Sequence, residues 1–123
     1  MKTILPCLLV CALTAANTAD ISGKWAGSFT PEGGDKGTAY VILKQNGTGI
    51  TGSGGPDENN QWPGLHGTIS GNKVSMEVKS PDDGTIYKCD LTLEGDRLKG
   101  DVVAKTTDGG SVKATLDLTR AAQ

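Results

Sequence analysis

Val112-Lys113-Ala114-Thr115-Leu116-Asp117-Leu118-Thr119 alternates without a break. Val112, Ala114, Leu116 and Leu118 share one face; Lys113, Thr115, Asp117 and Thr119 share the other. A period of two over eight residues predicts a half-buried β-strand, because successive side chains on an extended chain point to opposite sides. The same period runs back through the chain. Val74, Met76 and Val78 alternate with Ser75, Glu77 and Lys79, and Tyr87, Cys89, Leu91 and Leu93 alternate with Lys88, Asp90 and Thr92. Between these runs stand Asn46-Gly47, Gly71-Asn72, Asp83-Gly84, Glu94-Gly95 and Asp108-Gly109. Such pairs supply the positive-φ residues that tight hairpins need.

Eight strands follow, over about 21–29, 38–45, 48–54, 64–70, 73–79, 85–93, 97–105 and 111–119. Each junction is short enough for an antiparallel hairpin. A two-sheet sandwich would ordinarily need a longer crossover than any present. An eight-stranded antiparallel up-and-down meander is most easily stabilised by closing into a small barrel, which removes both sheet edges. The expected fold is therefore all-β and a single domain over residues 20–123. Such a barrel has room for packed side chains or for one small ligand.

Residues 1–19 read as a secretory signal peptide: Lys2, an apolar run from Ile4 to Leu13, then small residues with Ala19 at the cleavage point. The run is too short to span a bilayer, which takes roughly 20 residues. Val10 stands where lipid attachment at Cys11 would want a small residue. The expected product is secreted or periplasmic and not membrane-integral, since charged residues lie on the outer face of several strands. Without Lys2, eleven basic residues face fourteen acidic ones. That acidic balance argues against nucleic acid, whose phosphates need a basic patch. Only Cys89 remains after processing, so no internal disulfide is expected.

In a meander, alternate connections emerge at the same end. The turns at Asn46-Gly47, Gly71-Asn72 and Glu94-Gly95 define a tight end. The connections 30–37, 55–63, 81–84 and 106–110 define the other, where Glu32, Asp35, Asp57, Glu58, Asp82, Asp83 and Asp108 outnumber Lys36. This acidic mouth with the longer loops is where a barrel admits a ligand.

Gly23-Lys24-Trp25 opens the first strand and Arg120 follows the last. This pairing resembles the calycins, the superfamily of lipocalins, avidins and small bacterial metalloprotease inhibitors. The resemblance covers two short patches and the strand count. It implies that Trp25 packs beneath Arg120 at the closed end, a favourable cation–π contact. The chain departs from the named branches. Gly27 stands where avidins carry an Asn, and a second Trp is found only at Trp62. A single Cys89 cannot make the inhibitors' disulfide, and typical lipocalins are longer.

Several residues carry two readings. Trp62, in Asn59-Asn60-Gln61-Trp62-Pro63-Gly64, is either an exposed recognition anchor at the mouth or a plug on the barrel end. Tyr87 points its hydroxyl into a cavity or packs in the wall. The inward glycines Gly23, Gly27, Gly52, Gly67 and Gly100 either permit sharp coiling or leave cavity volume. Asp57-Glu58-Asn59-Asn60 fits no calcium loop and reads as a solvated turn. His66 reads as a surface residue, Cys89 as a small core residue, and Asn46-Gly47-Thr48 as a hairpin turn. No catalytic, metal, cofactor or nucleotide motif is present, so the expectation is not an enzyme. It is a small-ligand-binding barrel holding an apolar or amphipathic molecule at the mouth, with Trp62, Tyr87, Val41, Met76 and Leu116 at the site. The alternative is a protein-interaction module, such as an inhibitor of an exported hydrolase, using loops 30–37 and 55–63.

Overall fold

The computed structural model describes residues 20–121, so the signal-peptide reading of residues 1–19 lies outside the described residues. The strands are β1 (Gly23–Pro31), β2 (Gly37–Asn46), β3 (Gly49–Asp57), β4 (Asn60–Ser70), β5 (Lys73–Lys79), β6 (Ile86–Glu94), β7 (Arg97–Lys105) and β8 (Ser111–Arg120). Each pairs antiparallel with its sequence neighbour, and β8 returns to β1 in register from Trp25 opposite Arg120 to Pro31 opposite Ala114. The sheet is thus a closed eight-stranded meander with no free edge. Among the described residues no helix is long and apolar enough to cross a membrane.

Closure follows from the alternation. Val74, Met76, Val78, Leu98, Val102, Ala114, Leu116 and Leu118 are buried, while the residues that alternate with them on the same strands are mostly exposed. One face of every strand is therefore inside, and a single core results.

Two expectations need correction. Residues 55–63 are not a long loop. β3 and β4 continue as a ribbon whose turn is confined to Glu58-Asn59, with pairing irregularities at Gly52/Ser53 and Gly54/Asp57. Pro56 and Pro63 lack a backbone N–H, and Gly64 adopts φ 84° as the extra residue of the irregular stretch. The local composition of a loop is here the composition of a bulged ribbon. The first strand, secondly, begins at Gly23 rather than at 21. Asp20, Ile21 and Ser22 instead run across the tight-turn end as its cover.

That end is sealed. Trp25 is fully buried, and its Nε1 donates to the Ile21 carbonyl at 2.9 Å. The Arg120 guanidinium carbon lies 4.4 Å from the Trp25 ring centroid. Arg120 donates from Nη1 to the Ser22 carbonyl (3.0 Å), from Nη2 to the Asp20 carbonyl (3.1 Å) and from Nε to Asp96 Oδ1 (3.1 Å). Gln45 stitches the cover to β2: Ile21 N donates to Gln45 Oε1, and Gln45 N donates to Ser22 Oγ, both at 2.9 Å. Ile21, Leu98 and Leu118 fill the space below with no exposure at all.

The inward glycines resolve in favour of close approach. A Cβ on Gly27 would meet the Asp117 carbonyl oxygen, and one on Gly67 the Ser75 carbonyl oxygen. Gly52 and Gly100 meet Ile42 and Asp90 carbonyls in the same way. Their missing side chains let neighbouring strands coil tightly; they do not open the lumen.

Candidate functional site

The mouth half is hollow. A cavity of about 340 Å³ opens at the end carrying the 30–37, 81–84 and 106–110 connections. It lies at the small end of the range for small-molecule sites, about 300–1,000 Å³. Val41, Trp62, Met76, Tyr87 and Leu116 all line it. The sequence reading did not single out Phe29, Ala39, Gly54, Leu65, Val78 and Val102, which also face it. The alternation phase of their strands carries the signal for the larger of these. Gly54 carries none: a Cβ there would sit 3.4 Å from Leu65 Cδ1 and 3.8 Å from Val41 Cγ2, in ordinary contact with the wall. Its hydrogen is what leaves that part of the lumen empty.

Three aromatic rings lie at the mouth. Trp62, on β4, stacks on Tyr87, on β6, with ring centroids 5.3 Å apart and planes 21° from parallel. Tyr87 in turn meets Phe29, on β1, edge to face at 6.0 Å and 78°. β1 and β6 are separated around the wall by β7 and β8. The Phe29–Tyr87 contact therefore crosses the lumen, and the three rings form a bar over the cavity. Both geometries are favoured for aromatic pairs, at about 0.5–1.5 kcal/mol each beyond burial. Trp62 is half-buried on a strand, not carried on a free loop.

No lining residue is charged. The polar groups are few. The Thr38 hydroxyl donates to the Pro56 carbonyl at 2.7 Å. Burial pushes the Cys89 thiol up to about 12, with the nearby Asp90 adding to it, so it remains a neutral thiol. Burial, and secondarily the Asp83 charge, raises the Tyr87 phenol, which stays protonated.

The acidic residues surround this apolar opening in the connections, and several shape their own turns. Asp83 Oδ1 accepts from Thr85 N at 3.0 Å, and this backbone hydrogen bond is the first cause that holds its carboxyl below the usual range. Asp108 accepts from the Thr106 hydroxyl and from Gly110 N, with the same effect. Asp57 accepts from Asn59 N and Asn60 Nδ2. Glu58 pairs with Lys24 Nζ at 3.0 Å. Lys24 alternates with the inward Trp25, so this contact bends the ribbon tip against the outer wall and away from the opening. Gln61 secures the bend, donating to the carbonyls of Tyr40 (3.0 Å) and Asp57 (2.9 Å).

His66 stands on the outer face with two thirds of its side chain exposed, 3.7 Å from Glu77. Among the described residues no three His, Cys, Asp or Glu side chains gather as metal ligands. Compared with known protein families and with curated proteins, the chain matches none.

Proposed function

We propose that this chain is an exported, calycin-like barrel that binds a small apolar or amphipathic molecule in its mouth cavity. The observation that carries the reading is the contrast within one tube: an uncharged hollow under a bar of three aromatic rings, above a base where Ile21, Trp25, Leu98 and Leu118 are wholly buried. Empty apolar volume is costly in a core, because its lining loses dispersion contacts. A protein that fills its base so completely has the means to fill its mouth, and leaves it open. The Trp25–Arg120 contact and the strand order support the calycin resemblance. The alternative, an interaction module working through residues 30–37 and 55–63, draws less support, because the ribbon around Glu58 is folded onto the barrel wall.

Titration with the neutral dye N-phenyl-1-naphthylamine tests the reading. The expected result is a saturable, blue-shifted emission with one dye per chain, diminished at least fivefold in affinity by Ala39→Phe, which fills the cavity from its wall. No saturable binding by a folded protein would count against a ligand carrier.

A further inference from the structure

The charge distribution around the cavity bears on what kind of molecule enters it. The lining carries no cation and no anion, and the Thr38 hydroxyl already has an acceptor. The part of a ligand buried in the tube must therefore be uncharged, since a charge there would lose its water and find no partner of opposite sign. The head of an amphipathic ligand has to remain at the rim. The connections at that end carry exposed Glu32 and Asp35 in the first, Asp82 and Asp83 in the 81–84 turn and Asp108 in the last, and the Asp83 charge reaches Tyr87 at the mouth. The lysines near the opening do not offset them. Lys79, Lys88, Lys105 and Lys113 each alternate with an inward neighbour (Val78, Cys89, Ala104 and Ala114), so they belong to the outer face. Lys36 remains as the basic residue of the connections themselves. The Phe29–Tyr87–Trp62 bar lies at the same level, and aromatic faces attract cations.

We infer that the cavity takes a cationic amphiphile, an alkyl or aryl body in the tube with an ammonium head at the acidic, aromatic rim, and discriminates against the same body bearing a carboxylate. This rests on the reading of the mouth as a ligand site and adds to it a sign of charge. The body seats against Val41, Met76 and Leu116. The head stays half in water beside Asp82 and Asp83, so its desolvation is small while the rim field acts on it in full. A carboxylate head meets the same field with the opposite sign and has no lysine or arginine inside to retreat to.

Three probes of one chain length separate the possibilities: octyltrimethylammonium, 1-octanol and octanoate, each below its micelle concentration, followed by the Trp62 fluorescence of the full mature protein at 20 mM salt. The expected order is ammonium tightest, octanol intermediate and octanoate weakest, with at least a tenfold span between the two ions. Asp82→Asn with Asp83→Asn should weaken the ammonium at least threefold and leave octanol unchanged, since the amide oxygen introduced at position 83 can still accept from Thr85 N. Should that variant fail to fold, 200 mM salt on the unaltered protein must narrow the span between the ions, because rim charges are screened over about 10 Å at 0.1 M. Equal binding of all three, or octanoate tightest, overturns the charge assignment while the cavity reading stands. Binding of none of them overturns both.

Discussion

The two halves of the barrel use the same strands to opposite ends. At the base, Trp25, Ile21, Leu98 and Leu118 are wholly buried, and Arg120 spends its guanidinium on an indole face and two backbone carbonyls. At the mouth, the second tryptophan is half-buried, the three rings pack on one another and on the edge of the core, and about 340 Å³ beneath them is empty. The lesson is that a small chain with five aromatic residues can place its stability at one pole and thereby leave the other free of packing duty. The comparison is open to direct attack by substitution.

The largest effect is expected from the tryptophans. Trp25→Ala should lower unfolding stability by about 3–5 kcal/mol, the usual cost of deleting a large aromatic side chain from a packed site. Trp62→Ala should cost about 1 kcal/mol, since it removes one stacked contact at a half-open position. Urea unfolding of the two variants measures the difference; equal losses would erase the distinction between base and mouth.

Glycine substitutions sharpen it next. Gly27→Ala pushes a methyl group against the Asp117 carbonyl and should destabilise by about 1–3 kcal/mol. Gly54→Ala adds the same group at ordinary contact distance from Leu65 and Val41. Its stability should stay within about 0.5 kcal/mol of the parent, while affinity for the neutral dye falls as the cavity shrinks.

Arg120→Met keeps the aliphatic body over Trp25 but leaves the carbonyls of Asp20 and Ser22 without their donor. A loss of about 1–2 kcal/mol is expected, accompanied by faster amide exchange at Ile21 and Ser22. Unchanged exchange there would mean that the cover is held by Gln45 and the Trp25 indole without help from Arg120.

The last effect is confined to alkaline solution. The Cys89 thiol, raised by burial to about 12, stays protonated in the folded chain where the unfolded chain ionises from its ordinary value of 9.0. The unfolded state then binds fewer protons than the native state, so stability must fall as pH rises between about 9 and 12. Parallel denaturation curves of the parent and Cys89→Ala across that interval should converge as pH rises. Constant separation would mean that Cys89 is not shielded at the cavity floor.

Much of this was legible in the residues. Strict alternation in 73–79 marked that strand to the residue, because nothing in it interrupts the period. The pairing of Gly23-Lys24-Trp25 with Arg120 implied a contact at the closed end, and the two residues meet there. The ribbon of β3 and β4 was not legible: Pro56, Asn59, Asn60, Pro63 and Gly64 are all turn-formers locally, and only pairing across the bulges makes them strand. The role of Gly27 and Gly67 could not be read either, since which carbonyl a missing Cβ would strike depends on how tightly the neighbouring strand coils. Nor could the Phe29–Tyr87 contact, which exists only because the sheet closes and brings β1 across from β6.

Methyl chemical shifts of the labelled protein during titration with 1-octanol bear most directly on whether the open pole is the binding pole. Saturable movement of the Met76, Val41, Val102 and Leu116 methyls, with those of Leu98, Leu118, Ile50 and Val74 still, is the expected result. Shifts spread evenly through both groups, or confined to the second, would contradict a barrel that is solid at one end and receptive at the other.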